Sequence, residues 1–224
     1  MATNESASPA PAIQPERAFT RLMRKQWVDK TLAVLACIPF VIPFVVALEK
    51  FSFDIPNTVF ILQISLCALT LLIRRTPVRV TTDPLLWLLT LLATYWGFLT
   101  IGNWTSGIHV APRWVTDVLA ITSLVIVVWA RISLGRNIGL VPAQRNIVTD
   151  GAYRFVRHPI YTAVFFSTVA TALENYSRVN AVLFSLGILW WIIKSLVEEN
   201  FLRKDPEYAA YLQRVRWRWI PGII

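Results

Sequence analysis

The chain has 224 residues, of which 55% are hydrophobic and only 16% charged, and its formal net charge is +9. That balance excludes a large soluble domain and places the chain among integral membrane proteins. The basic residues are parcelled out between apolar stretches instead of gathered on one polar surface, which argues against nucleic acid as a partner.

Residues 1–16, rich in Ala, Ser and Pro, carry no apolar run and read as a disordered tail. With the charges that follow, residues 1–30 form a basic cytoplasmic segment. The first apolar run begins only near Thr31 and no small-residue cleavage site follows it, so it reads as an uncleaved anchor and not a signal peptide. Apolar stretches then occupy residues 31–48, 58–73, 84–101, 114–132, 160–173 and 181–197. Each approaches the roughly 20 residues a spanning helix needs, except the fifth, which crosses only with help from its flanks or a thinner bilayer. The expected fold is an all-α integral membrane protein of about six transmembrane helices, the fifth short, with a closing helical hairpin and a cytoplasmic C-terminal segment. It divides into the N-terminal segment, a four-helix transmembrane region over 31–132, and a region over 133–224 that carries the polar clusters.

With six crossings and a cytoplasmic N-terminus, 18 of the Lys and Arg residues fall on the cytoplasmic side and three, Lys50, Arg113 and Arg178, outside. The positive-inside rule therefore puts both termini in the cytoplasm. Trp27, Trp104, Trp114 and Trp129 lie near segment ends, where indole prefers the interface. Cys37 and Cys67 fall inside apolar stretches and read as small buried hydrophobes without a disulfide. The first two helices, through Ile73, carry no chemical signal; packing and anchoring are their expected roles.

Chemistry is expected in the longest cytoplasmic connection, from Arg131 to Pro159, which exceeds the length of a mere connector. Gly135, Gly139, Pro142 and Gly151 break helix there, and Asp150-Gly151 reads as a turn. Pro159 suits the first turn of the helix that follows. Backbone N–H groups at that helix start favour an anionic ligand group, to which Arg154 and Arg157 would add charge. His158 stands just before the helix and Tyr161 just inside it. A second cluster, Lys194, Glu198 and Glu199, then Tyr208, Tyr211 and Arg214, closes the chain. Because the closing helices form an antiparallel hairpin, the two clusters meet at the cytoplasmic face, where facing cations and anions suit a zwitterionic ligand.

Plainer readings exist for each feature. Arg154 and Arg157 could be juxtamembrane anchors, His158 a cap, Glu198 and Glu199 partners of Arg203 and Lys204, and Arg214, Arg216 and Arg218 with Trp217 and Trp219 a lipid-surface anchor. Convergence on one membrane face favours function. The two histidines, His109 and His158, fall on opposite sides and assemble no metal site. P-loop and dinucleotide motifs are absent from the sequence, as is a Ser-His-Asp set.

The run Ile147-Val148-Thr149-Asp150-Gly151-Ala152-Tyr153, then Arg157-His158-Pro159-Ile160-Tyr161, then Glu198-Glu199 followed by Tyr208, Tyr211, Arg214 and Pro221, resembles the isoprenylcysteine carboxyl methyltransferase family. The phospholipid N-methyltransferases look similar over the same region, roughly 131–224. The resemblance implies an integral membrane methyltransferase that uses S-adenosylmethionine on a lipid-like acceptor. It implies a cofactor site lined by Arg145, Asn146, Ile147, Val148 and Tyr153, together with Arg157, His158, Pro159, Ile160 and Tyr161. Glu199 would hold the cofactor's amino group. Lys194 would meet an acceptor carboxylate and, with Glu198, makes up the candidate catalytic pair. Arg145 stands where many members have His, Ala152 where Pro is usual, and Lys194 where Arg is expected, giving a point charge without the bidentate fork. Bilayer lipid and a lipophilic small molecule are the implied partners, with no metal. The competing functions are a phospholipid N-methyltransferase, a sterol-reductase-like enzyme using NADPH, and a non-catalytic lipid-binding or scaffold protein.

Overall fold

The computed structural model describes residues 18–23, 25–49, 55–100 and 107–223, so the expected disordered tail and the placements of Lys50 and Trp104 lie outside the described residues. The chain is mostly helical: α1 (Ala18–Met23), α2 (Gln26–Glu49), α3 (Ile55–Leu72), α4 (Pro84–Tyr95), α5 (Arg113–Leu134), α6 (Pro159–Glu174), α7 (Arg178–Leu202) and α8 (Pro206–Arg214). Among the described residues, three of these, α2, α5 and α7, are long and apolar enough to cross a membrane. The others expected to cross are shorter. α3 has 18 residues and α6 has 16, while α4 stops after 12 and continues as a 3₁₀ turn over Trp96–Thr100.

Local chemistry sets the helix starts. Asp83 caps α4, its side chain accepting from Leu85 N at 2.9 Å, and Pro84 follows where a missing N–H costs nothing. Asp205 and Pro206 repeat the device at α8, and Ser177 caps α7. Pro159 opens α6, one residue ahead of the apolar stretch, with His158 at the N-cap.

Small residues let α5 and α6 approach. Ala120, Ser123 and Ala130 are buried on α5, and Ala163 and Ala170 on α6. Ser123 Oγ donates to Ala163 O at 2.7 Å and accepts from Gln63 Nε2 at 2.7 Å, tying α3, α5 and α6 together inside the bundle. α3 also packs on α2, and α4 on α7. Large apolar side chains such as Ile42, Leu88, Val125 and Ile132 face outward, as a lipid-facing surface requires.

One end of the bundle holds an element that the apolar pattern does not announce. β1 (Arg79–Val80) pairs antiparallel with β2 (Ala143–Gln144), Arg79 opposite Gln144. Arg75 N donates to Arg136 O at 2.7 Å and Thr81 N to Pro142 O at 3.1 Å. The connection after α5 is thereby clipped onto the one after α3. At the other end, a bridge between Ile108 and Tyr176 joins the approach to α5 with the turn between α6 and α7.

Candidate functional site

The site grows from the start of α6. His158 N donates to Arg218 O at 2.8 Å and Arg157 N to Trp217 O at 2.9 Å, so the C-terminal strand of chain runs alongside the helix start. Thr162 Oγ1 adds a bond to Trp219 O at 2.6 Å. The His158 ring stacks on Tyr161, centroids 5.0 Å apart, and Tyr161 Oη donates to Glu198 Oε2 at 2.5 Å.

Glu199, one residue along α7, is buried on another face. Its carboxylate meets Arg157 Nη1 at 3.3 Å, His158 Nε2 at 3.1 Å, and Arg218 through Nε at 2.9 Å and Nη2 at 3.0 Å. Arg157 also donates to the carbonyls of Val215 and Leu212. Glu199 therefore acts as the knot that binds the C-terminal segment to α6 and α7. The hydrogen bond to Glu199 raises the pKa of Arg218. The reading of Arg218 and Trp219 as a lipid-surface anchor is overturned, because Trp219 is 2% exposed and Arg218 is paired within the protein. The Glu198 and Glu199 carboxylates instead face Tyr161 and the group of Arg157, His158 and Arg218. Arg154 is exposed on the 3₁₀ turn Gly151–Arg154, away from Arg157.

A cavity of about 190 Å³ lies beside this knot. Arg145, Asn146, Ile147 and Val148 form one wall and Tyr153 another, while Arg157, His158, Ile160 and Tyr161 contribute from α6. Lys194 and Glu198 come from α7. Of the expected site residues, Pro159 and Glu199 are the two that do not line it. Tyr208 and Tyr211 of α8 complete the rim, and Tyr211 Oη donates to Tyr153 O at 2.8 Å. Burial pushes the Tyr153, Tyr208 and Tyr211 phenols above their ordinary range, which keeps them protonated donors.

The cavity reaches into the bundle. Lys194 is 3% exposed, its Nζ donating to Thr94 Oγ1 at 2.9 Å and lying 4.8 Å from the Trp191 ring centroid and 5.7 Å from that of Tyr161. Two rings and a hydroxyl thus hold an ammonium where hydrocarbon surrounds it. Cys67 of α3 and Thr94 of α4 border this inner end.

Four contributors were missed in the sequence. Arg131 and Asn137 line the cavity beside Arg145. Arg131 was readable as a charge inside the fourth apolar stretch, a position that usually means function. The other two, Asp29 and Arg74, flank the first two apolar stretches and brace Arg145 from outside the cavity. Asp29, 1% exposed near the start of α2, accepts from Arg74 Nη2 at 2.8 Å and lies 3.9 Å from Arg145 Nη2. Arg145 Nε donates to Arg75 O at 2.8 Å. Burial, with Arg74 nearby, lowers Arg145 to about 10, against the opposing pull of Asp29. The Arg145 guanidinium also fills the space over Gly139, where an added Cβ would stand 2.5 Å from Nη1. Single-sequence reading offers no signal for such a long-range pair.

Residues 111–205 match the family model described as phospholipid methyltransferase. A probable protein-S-isoprenylcysteine O-methyltransferase of Oryza sativa subsp. indica is 34% identical over 76 residues, covering 32% of this chain and 39% of that protein. The protein of the same description from Oryza sativa subsp. japonica matches to the same extent. The chain thus spans well under half the length of these curated relatives. The resemblance to membrane methyltransferases read from the motifs holds in both comparisons, at modest identity and over part of the chain.

Proposed function

We propose that this chain is an integral membrane methyltransferase that takes its methyl group from S-adenosylmethionine and delivers it to a carboxylate on a lipophilic acceptor. The observation that carries this reading is the cavity in which the start of α6, residues 145–148, the α7 pair Lys194 and Glu198 and the α8 tyrosines come together, continuing inward to Thr94. A water-soluble donor and a membrane-borne acceptor need a site that loop and helix residues share.

The donor set suits the cofactor. Glu198 supplies a carboxylate for an ammonium, aromatic rims at Tyr153, Tyr208 and Tyr211 suit a planar base, and cations stand ready for a carboxylate. The volume falls below the roughly 300 Å³ at the small end of ligand pockets, so the walls, chiefly α8 and residues 137–148, part to admit it. When bound, a sulfonium donor supplies an already activated methyl group. The protein's task is then positioning and exclusion of water. Tyr161 orients Glu198, and Lys194 fixes the acceptor's carboxylate, which at a reference pKa of about 3.3 to 3.7 is ionised near neutrality and needs no base. Glu199, enclosed by Arg157, His158 and Arg218, orients those side chains and does not reach the ligand.

We place six crossings in the membrane, with α3, α4 plus its 3₁₀ turn, and α6 as the short ones, both termini cytoplasmic and the site at the cytoplasmic face. The gathering of Arg75, Arg136, Arg145 and Arg218 at the α8 end supports that orientation.

The phospholipid family match favours a second reading, a lipid amine as acceptor, with Glu198 as the base that removes its proton. The test is calorimetric titration of detergent-purified protein with S-adenosylhomocysteine, followed by methyl transfer to membrane extracts. Binding with a base-labile methyl ester as product supports the leading reading. A base-stable N-methyl product moves the assignment to the amine, and absence of binding by folded protein removes both.

A further inference from the structure

Arg131 lies in the last turn of α5 and is 8% exposed. Its Nη1 donates to the Thr70 hydroxyl, a neutral partner, whereas its Nε has no hydrogen-bond partner. No ion pair forms on it among the described residues. A buried guanidinium that is neither neutralised nor fully bonded is costly, and the cost falls away when an anion arrives. Asn137, two residues past the Gly135 turn, donates through Nδ2 to Leu134 O at 3.2 Å, while its buried Oδ1 accepts from nothing. Both side chains line the cavity beside Glu199's cluster. An unfilled charged donor and an unfilled acceptor on one wall match a ligand end that carries a carboxylate and an ammonium.

We infer that Arg131 and Asn137 form the subsite for the amino-acid end of the methyl donor, Arg131 taking the carboxylate and Asn137 Oδ1 sharing the ammonium with Glu198. This rests on the reading above that the cavity binds S-adenosylmethionine. A carboxylate could also come from the acceptor, but position separates the two sources. Lys194 stands two turns of helix before the end of α7, held by Thr94 and Trp191 at the inner end, where an apolar acceptor arrives. Arg131 sits three residues from the end of α5, beside the loop wall of residues 137–146. The soluble ligand reaches Arg131 first.

Three ligands that share the adenosine thioether and differ at its tail separate the groups: S-adenosylhomocysteine, its decarboxylated amine, and 5′-methylthioadenosine, which lacks both groups. Calorimetric affinities are measured on the full chain in detergent for the wild type, Arg131→Met, Arg131→Lys and Asn137→Leu. Arg131→Met weakens S-adenosylhomocysteine roughly 10- to 100-fold, as expected for a hydrogen bond to a charged group, and leaves the other two unchanged. Arg131→Lys recovers part of the loss. Asn137→Leu weakens the first two ligands and spares the third. Equal losses for all three ligands in Arg131→Met would mean a packing role and overturn the inference, as would no loss at all. A loss seen instead only for a carboxylate acceptor would move Arg131 to the other substrate. If the wild type binds none of the three while folded, the donor reading itself falls and the subsite with it. Because each comparison is made within one variant, partial instability cancels.

Discussion

Arg218 grips Glu199 with two hydrogen bonds, Nε to Oε1 at 2.9 Å and Nη2 to Oε2 at 3.0 Å, across 19 residues of chain. The pair, with Arg157 and His158, fastens the C-terminal segment over the start of α6. Glu199→Gln leaves two partly buried guanidinium groups without their counter-charge. Removing one partner of a buried pair costs about 3 to 5 kcal/mol, and the lower end applies because Arg218 keeps some solvent contact. Thermal unfolding in detergent should fall markedly, with proteolysis of residues 212–219 rising before the rest. Unchanged melting and unchanged protease resistance would exclude the knot.

Glu198 is the complementary case. It lines the cavity and its carboxylate accepts from Tyr161 Oη, away from the C-terminal segment, so its loss should leave the tail in place. Glu198→Gln is expected to weaken S-adenosylhomocysteine about tenfold or more with melting held within a few degrees, and Tyr161→Phe to do the same more weakly. The reverse pattern, binding lost in Glu199→Gln at full stability and kept in Glu198→Gln, would return the ammonium contact to Glu199.

Much of this was legible in the sequence because it is local. Pro159 at a helix start, Asp150-Gly151 as a turn and the closing hairpin follow from near-neighbour rules, and the hairpin alone brings Tyr161 to Glu198. The order of the two glutamates was not legible. Adjacent residues on a helix differ by about 100°, and which one faces the cavity depends on where Arg218 arrives from the far end of the chain. The pairing of Asp29 with Arg74 and Arg145 was hidden for the same reason. Charge counting assigned these residues to a membrane side, and only tertiary packing converted surface charges into a buried brace. The site's walls come from α3 and α4 as well as from residues 133–224, so the motif-bearing region does not build it alone.

Gly139 tests how tightly that brace sets the cavity wall. Gly139→Ala puts a methyl group 2.5 Å from Arg145 Nη1 as built, so the guanidinium must shift or the loop must move. The expected result is weaker S-adenosylhomocysteine binding, by several-fold, with only a small drop in melting temperature, since side-chain overpacking typically costs about 1 to 3 kcal/mol. Wild-type affinity in this variant would show that Arg145 has freedom to move without consequence.

Asp29 supports the charge of the same group against burial and Arg74. Arg145 sits at about 10 in the fold, below its ordinary 12.5, so between those values the unfolded chain binds more protons and stability rises with pH through that window. Its buried charge is thus a burden at neutral pH that Asp29 lightens. Asp29→Asn should destabilise by a few kcal/mol at pH 7, and the alkaline gain should begin at lower pH than in the wild type. Melting profiles from pH 8 to 11 check both; parallel profiles for the two proteins would mean that Asp29 does not act on Arg145.

Lys194 separates the two acceptor chemistries. Its ammonium is kept deep in the bundle by Thr94, Trp191 and Tyr161, and a cation held there favours an anionic acceptor and repels a cationic one. Lys194→Met matches the stem in length and removes the charge without inserting a polar group. For a carboxylate acceptor, KM should rise about tenfold or more while S-adenosylhomocysteine affinity holds, because the contacts proposed for the donor are Arg131, Asn137 and Glu198. For an amine acceptor, the same substitution should leave KM unchanged or lower it, since it removes a like charge from the path of the nucleophile. Steady-state kinetics with one acceptor of each kind therefore decide the substrate class: a fall in KM with the amine and a rise with the acid fix the acid as the natural partner of Lys194, and equal effects on both deny the residue any role in the choice.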